Sequence, residues 1–481
     1  MVGFTSKHDA ISLQCSFLRC CDILSVFCLP PNDGIFLDVL CSNKVVTLLE
    51  LASSFMFNLI CDVRLTTQPA STVNDSNTPS KTNDDVLRNV FCVQTICDTI
   101  LDLFNRMFTW YIDKIRSCVE VQNQNSTNNS EIDDCFARLA ANLRTRVNFI
   151  ISYAVSLNLI DVISALISTT ISSPEGCYCD DNDDKVCHVG VISRCIMFVN
   201  NVLAVLIQNM PCSDLSPPQP EIISSAATTC GAKDQTGLFD ALIHKNHLLS
   251  QVMDMLYTLI MNPKASGNRV GCDRETPSPM SDRMLELIVS CLGFITQLAR
   301  INLGHLQLVL GQDSTSLELR HLTSHLLVYS NCYNVIELRH RVIVAIGYFV
   351  VLSPQNQNFI QLGSQPSILQ QMCLLPFTYF SCTNLTRILF PTLIAATFRH
   401  DENLQILSEE LSPILLAGFI EDQLSLEKSS PQDNLKQTTV MKTDASGTGD
   451  QAWSEEFTKL TARFPRQYWE EARDYFHAAS E

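Results

Sequence analysis

Charged side chains are scarce in this sequence, and no dense basic run occurs in it. Only 17% of the 481 residues are Asp, Glu, Lys or Arg, and 50 acidic residues against 33 basic ones give a net charge of -17. An acidic surface repels phosphate backbones and anionic lipid. We therefore expect no direct nucleic-acid partner, unless a small positive groove overrides this average.

Long hydrophobic runs and a secretory leader are also missing. The longest unbroken apolar run, Val342 to Leu352, is too short to cross a bilayer. Polar residues such as Ser152, Asn158 and Asp161 interrupt the longer stretch at 147–167. The first 19 residues lack the basic and apolar regions of a signal peptide. We therefore expect no transmembrane segment, a cytoplasmic location and reduced thiols, with many of the 21 cysteines acting as small hydrophobes.

The sequence contains no recognisable enzyme motif. It has no Gly-x-Ser-x-Gly nucleophile elbow, no phosphate-binding Gly-rich loop with Lys and no His-Glu-x-x-His zinc motif. His340 lies near Glu337 in the chain, but His and Glu on helix surfaces are usually solvated. We therefore expect a protein that is not an enzyme and uses no cofactor.

One short segment gathers atoms of the kind that bind metals. Cys177, Cys179, Cys187 and His188 lie within twelve residues, but two of them are adjacent and acidic residues crowd the interval. Zinc sites usually space their ligand pairs by two to four residues. An acidic loop is the interpretation that this spacing favours, and a zinc site is the alternative.

Apolar residues recur at helical spacing along most of the chain. In the stretch from Ser281 to Asn302, Leu285, Ile288 and Leu292 begin one apolar stripe of a 3.6-residue helix. Twelve such stretches leave almost no place for strands. The sequence predicts an all-α protein, an armadillo- or HEAT-like α-solenoid with long polar loops.

Polar stretches divide these helices into groups. We predict five regions: an N-terminal helical-repeat region with disordered inserts at 1–262, a linker at 263–280, armadillo-like repeats at 281–427, a disordered linker at 428–452 and a C-terminal aromatic helix at 453–481. A weak internal repeat supports the third region, because the segment beginning at Asn358 can be laid beside the one beginning at Asn403. Their offset of 45 residues suits an armadillo or HEAT unit. Gly363 with Pro366, and Ser408 with Pro413, are the predicted breaks between the helices of these units.

Two segments carry a family resemblance. They are the run at 341–422, which begins RVIVAIGYFVVLSPQNQNFIQLGSQPSILQQMCLLPFTYF, and the terminal RFPRQYWEEARDYF at 463–476. From about Leu326 onward the chain resembles the C-terminal region of the S phase cyclin A-associated proteins of the endoplasmic reticulum. The family's long charged and zinc-finger regions are absent, so we expect a C-terminal portion or a shortened gene product.

The resemblance implies a cytosolic scaffold, peripherally associated with the endoplasmic reticulum (ER), whose armadillo-like array has the cyclin A–kinase complex among its partners. It also implies a second adaptor role, in which a deadenylase complex is brought to ribosomes during selective decay of tubulin mRNA. The alternative is a structural trafficking or complex-assembly subunit with helical repeats and no cyclin link.

Three groups of residues are candidate sites. Arg387, Leu389 and Phe390 form an Arg-x-Leu-Phe segment of the kind that cyclins recognise, and Arg-Met-Leu-Glu-Leu at 283–287 is a similar segment. Core packing is the interpretation that the surroundings of both segments favour. Thr276 and Ser278 precede prolines and are candidate phosphorylation sites for a cell-cycle kinase. Tyr468, Trp469 and Phe476 lie in a short aromatic helix that either caps the last repeat or binds a partner groove.

Overall fold

The computed structural model describes most of the predicted helical stretches of the chain. The described residues are 46–47, 49–50, 53, 98, 100–117, 130–172, 188–209, 248–261, 279–363, 365–428 and 459–480. Within them every regular element is a helix and no strand occurs, which confirms the all-α prediction. Most of the linkers predicted at 263–280 and 428–452 lie outside these residues.

Two compact units divide the described residues. The first contains those up to Gln297 and the second contains those from Leu298 onward. The predicted division into five regions stays a prediction. The helices up to the boundary are α1 (100–117), α2 (Ser130–Ser156), α3 (Leu159–Ser172), α4 (His188–Asn209), α5 (Leu248–Met261) and α6 (Asp282–Ile301).

The first unit has an apolar core threaded by a few polar contacts. Helix α3 packs against α2, α4 and α5, and the rings of Phe104 and Phe108 in α1 meet the edge or face of Phe198 in α4. The Nδ2 atom of Asn201 donates to Oδ1 of Asn105 at 3.0 Å. Asn201 of α4 therefore has its partner on a neighbouring helix, as most buried polar groups do.

Two of these helices are long and apolar enough to cross a membrane by length and composition. They are Val189–Gln208 within α4 and Asp282–Ile301, and the bent pair Ala140–Ser156 and Leu159–Thr169 could form a third span. The expectation of no transmembrane segment considered unbroken apolar runs and overlooked these helices, in which isolated polar residues interrupt the run. In the structure, 67% of the most apolar 18-residue stretch of the first helix and 50% of that of the second are buried.

The second unit is a succession of shorter helices. These are α7 (Leu303–Leu310), α8 (Asp313–Cys332), α9 (Ile336–Val350), α10 (Pro354–Gln361), α11 (Ile368–Cys373), α12 (Thr378–Ser381), α13 (Thr383–Thr397), α14 (Asp401–Glu410), α15 (Ile414–Lys428) and α16 (Trp469–Ala478). Helices α9 and α13 pack against each other and are almost wholly buried from Val342 and Ile388 onward. Helices apolar on all sides belong in a core.

Buried amides repeat the same hydrogen bonds along this unit. The Nδ2 atom of Asn356 donates to the carbonyls of Phe349 at 2.9 Å and Gln307 at 3.4 Å. In the same way, Nδ2 of Asn403 donates to the carbonyls of Ala396 at 2.8 Å and Gln357 at 3.0 Å. Each Asn thus caps the helix that precedes it, α9 or α13, and ties it to an earlier short helix.

Glutamines add bonds from the earlier short helix to the end of the later long helix. We call these Asn and Gln contacts together the amide ladder. Nε2 of Gln307 bonds the carbonyls of Tyr348 and Val351 at the end of α9, and Nε2 of Gln357 bonds those of Ala395 and Phe398 at the end of α13. The residues after these caps, Leu352 and Arg399, share a positive φ of 52° and 59°. Consecutive groups of helices are therefore built to one pattern.

The predicted repeat register is corrected by this ladder. Asn356, not Asn358, occupies the position equivalent to Asn403, so the offset is 47 positions, from 356 to 403, rather than 45. Asn356 is buried, whereas Asn358 is exposed and contacts His400 on the surface. The predicted break at Ser408 is also misplaced, because α14 continues to Glu410 and ends before Pro413.

Candidate interaction site

The C-terminal segment, residues 460–478, packs onto helices of the second unit. Helix α16 lies against α15, and its Trp469, Ala472 and Phe476 are buried. The indole Nε1 of Trp469 donates to the carbonyl of Phe464 at 3.1 Å, which closes the turn before the helix. So short a helix is marginal alone and takes its stability from the surface that it covers.

Phe398, at the end of α13, is the centre of the aromatic contacts. Its ring centroid lies 5.3 Å from that of Phe464, 6.1 Å from that of Tyr468 and 5.8 Å from that of Tyr475. The first and last of these contacts are edge-to-face, an arrangement that aromatic quadrupoles favour. The aromatic residues of the segment therefore share one anchor on the helical body.

Arg463 is the buried charged residue of the segment. Its Nη1 donates to the carbonyl of Ile388 at 2.6 Å and to Oγ1 of Thr392 at 2.8 Å, and its Nη2 donates to the carbonyl of Arg387 at 3.1 Å. The side chain is buried, with 2% of its surface exposed. We call the acceptors on α13, together with Gly347 on α9, the arginine socket.

Three small features of sequence create the arginine socket. Pro391 lies inside α13 and has no N–H, so the carbonyl of Arg387 four residues earlier is left without its helical donor. Thr392 holds its hydroxyl in place by donating to the carbonyl of Ile343 at 2.9 Å. A Cβ on Gly347 would lie 2.6 Å from Thr392 Oγ1 and 3.1 Å from Arg463 Cδ, so the close approach needs glycine there.

Burial changes the proton affinity of groups around the socket. Loss of water lowers the pKa of Arg463 to about 10, which still leaves the guanidinium charged at neutral pH. Burial, with the charges of Arg339 and Arg463, lowers the pKa of His340 to about 4. The expectation that His340 is solvated is wrong, because it is 2% exposed and its Nε2 lies 2.8 Å from the hydroxyl of Tyr379.

Ion pairs surround the buried part of the segment. Arg399 holds Glu471 through two contacts of 2.7 Å, Nε of Arg466 lies 2.6 Å from Glu427, and Nε2 of His477 lies 3.0 Å from Glu421. Tyr475 donates to Asp401 at 3.1 Å. All are solvent-exposed, so each pair stabilises by about 0–1 kcal/mol and mainly orients the segment.

The structure brings several predicted site residues to this one place. The carbonyl of Arg387 is part of the socket, Leu389 and Phe390 are buried beside it, and Phe390 meets Phe419 of α15 edge-to-face. In this conformation the Arg-x-Leu-Phe segment presents neither apolar side chain, so cyclin docking there requires local unfolding. The aromatic residues Tyr468, Trp469 and Phe476 lie against the body as a cap does.

Other predicted site residues lie outside the described part of the chain. These are Cys177, Cys179 and Cys187, together with Thr276 and Ser278, and the side chain of His188 at the start of α4 is likewise not described. Among the described residues, no group of three or more His, Cys, Asp or Glu side chains could hold a metal ion. The zinc alternative and the phosphorylation sites stay predictions.

Sequence reasoning missed the arginine socket. Its signals were a proline inside an apolar helical stretch, four residues after Arg387, and a glycine in the long apolar run around Gly347. Neither signal points to Arg463, which follows more than seventy positions later. Only the folded chain brings the three together.

Comparison with known proteins gives one informative similarity. No protein-family model matches the chain. It is 35% identical over 247 residues to the human S phase cyclin A-associated protein in the endoplasmic reticulum, a match that covers 51% of this chain and 16% of the human protein. The relationship predicted from the sequence is confirmed, and the matched length exceeds the final third of the chain. The chain spans only part of its relative.

Proposed function

We propose that this chain is a non-catalytic adaptor, built on an armadillo-like helical array, that associates with cyclin A–kinase complexes at the ER. The observation that carries the proposal is the amide ladder, in which Asn356 and Asn403 make equivalent bonds in consecutive helix groups. Stacked helix groups of this kind form extended surfaces for protein partners. The printed name of the human relative, which describes a cyclin A-associated ER protein, suggests the partner and the location.

Exposure distinguishes the two Arg-x-Leu segments as cyclin contacts. Arg283 is exposed at the start of α6 and Leu285 is half-buried, whereas Leu389 and Phe390 are fully covered. A segment that docks in a shallow groove must present its side chains. Leu287, the second apolar residue of this segment, is buried like Leu389 and Phe390. We therefore assign the cyclin contact to the exposed end of the segment, Arg283 and Leu285.

Affinity capture with the intact chain tests this function. We expect cyclin A and its kinase in the eluate of the parent chain, and at least a severalfold loss of both with Arg283→Ala. The matched variant is Arg387→Ala, whose side chain is only half-exposed. It should lose neither protein. Recovery of membrane-coat or assembly-complex subunits without cyclin would favour the alternative structural role. Loss with Arg387→Ala alone would reverse the assignment of the segment.

The proteins in the same eluate also test the proposed role in mRNA decay and the proposed phosphorylation sites. Deadenylase subunits and ribosomal proteins are expected if the chain also serves as an adaptor in tubulin mRNA decay. Regulation at Thr276 and Ser278 predicts that replacing both with Ala changes the amount of captured kinase or deadenylase. Equal capture by the double variant and the parent chain would argue against those two sites.

A further inference from the structure

We propose that the groove formed by α9, α13 and α15 is a binding site for arginine-anchored peptides, and that the chain's own residues 460–478 are its resident ligand. The partner that fits is a protein segment with Arg followed directly by an aromatic residue and Pro, as in Arg463, Phe464 and Pro465. Such a segment would replace the resident one. This proposal deepens the adaptor function and rests on it for its biological meaning only.

The contacts of the resident segment are those of a peptide in a groove. One arginine and one tryptophan, Arg463 and Trp469, are buried, and the remaining polar contacts form an exposed rim. Interfaces between separate proteins concentrate their binding energy in such central Arg and aromatic anchors, with a solvated rim around them. The segment therefore binds as an interface partner does.

The groove selects a cationic anchor by its chemistry. The arginine socket consists of the carbonyl oxygens of Arg387 and Ile388 and the hydroxyl of Thr392, all of which accept hydrogen bonds from the guanidinium. Acidic side chains of the body, Glu421 and Glu427, add negative charge at the rim. A planar guanidinium, with donors fixed in a fork, matches several converging acceptors better than a lysine does.

The cost of burying Arg463 makes the contact reversible. Burial lowers the pKa of this guanidinium, and three of the acceptors that bond it are neutral groups, two carbonyls and a hydroxyl. Neutral acceptors only partly offset the desolvation of a cation. An apolar residue of similar size would hold a permanent cap at lower cost, so arginine at this place indicates binding with specificity.

The tether explains why the resident segment occupies the groove in the intact chain. Residues 429–458 connect α15 to the segment. A covalent tether raises the local concentration of a ligand to about the millimolar range, so a free peptide of equal affinity does not compete at micromolar concentration. Partner binding then needs a tighter segment or an opened tether.

Controlled cleavage of the tether tests the proposal on the whole chain. A single protease site is inserted between residues 440 and 450, the purified chain is cut, and a fluorescent synthetic peptide of residues 459–481 is added. We expect the cut chain to exchange its own segment for the labelled peptide under native conditions. The intact chain should bind the same peptide about a hundredfold more weakly, because its tethered segment competes.

Peptide variants identify the anchor. The peptide with Arg463→Ala should bind the cut chain at least about thirtyfold more weakly, since a buried charged hydrogen-bonding group is lost. The matched control is Arg473→Ala, whose guanidinium pairs with neighbouring Asp474 in the same segment. This control should bind within about threefold of the parent peptide, as loss of an exposed pair has little effect.

Three results would overturn the proposal. One is that the cut segment stays in place until the second unit unfolds, as an integral part of a core would. Another is equal binding of the Arg463→Ala and parent peptides. The third is co-purification of two differently tagged intact chains, which would make a second copy the occupant. No cyclin is present in this experiment, so its failure and a failure to capture cyclin A are distinguishable.

Discussion

Gly347 sets how closely the backbone of α9 approaches Thr392 and Arg463. An added Cβ would lie 2.6 Å from Thr392 Oγ1, a distance at which one of the two must move. We expect Gly347→Ala to lower the free energy of unfolding by about 1–3 kcal/mol, the usual cost of overpacking a core. Urea unfolding measures this change.

The matched control for this substitution is Gly418→Ala in α15. No heavy atom lies within 4 Å of a Cβ placed on Gly418. Alanine favours the helix over glycine by about 0.5–1 kcal/mol, so this variant should be unchanged or more stable. Equal destabilisation by both substitutions would show that the arginine socket does not depend on close packing at Gly347.

His340 makes the stability of the second unit depend on pH. Its pKa is about 4 in the folded chain, because of burial and the nearby charges of Arg339 and Arg463, and about 6.5 when unfolded. The unfolded chain therefore binds the proton more tightly. The stability that His340 contributes is complete above pH 6.5 and is lost as the pH falls toward 4.

This titration gives a measurable difference between variants. At pH 5 the contribution of His340 should be about 2 kcal/mol smaller than at pH 7.5. Urea unfolding at both pH values should show that His340→Gln removes this part of the pH dependence. An identical pH dependence in the parent chain and the variant would contradict a buried neutral imidazole.

At the scale of helices, the amide ladder determines which asparagines hold the repeat together. Asn356 and Asn403 are buried and each donates to two carbonyls, whereas Asn358 is exposed. We expect Asn356→Ala and Asn403→Ala each to cost about 2 kcal/mol or more, because buried carbonyls lose their donors. Asn358→Ala should change the free energy of unfolding by less than about 0.5 kcal/mol. Urea unfolding of the three variants decides between the registers with offsets of 47 and 45.

Helical periodicity was enough to predict an all-α protein, because an apolar stripe must bury itself against another helix. The break between α10 and α11 was also foreseen from Gly363 and Pro366, which lie between these helices. The register was not, since Asn356 and Asn358 lie in the same polar stretch and only burial tells them apart. The socket was missed because its parts lie far apart in the sequence, and contact between distant residues has no local signature.

At the scale of the whole molecule, composition and packing point to different environments for α4. Its window Val189–Gln208 is apolar enough for a span, yet Arg194 pairs with Asp102 at 3.1 Å and Nδ2 of Asn200 donates to the carbonyl of Ser290 at 2.8 Å. These contacts give polar side chains of α4 partners within the first unit. They favour the peripheral association with the ER that the resemblance implies over a helix that crosses the bilayer.

Extraction of ER membranes separates these two forms of attachment. We expect the chain, expressed in cells and recovered with microsomes, to be released at about pH 11 without detergent, because packed helices such as α4 have no need of lipid to cover them. An ER protein with an established transmembrane helix, followed in the same sample, should stay in the pellet. If the chain instead stays with that protein until detergent is added, α4 or α6 crosses the membrane, and the contacts of Arg194 and Asn200 are then contacts between helices within a bilayer.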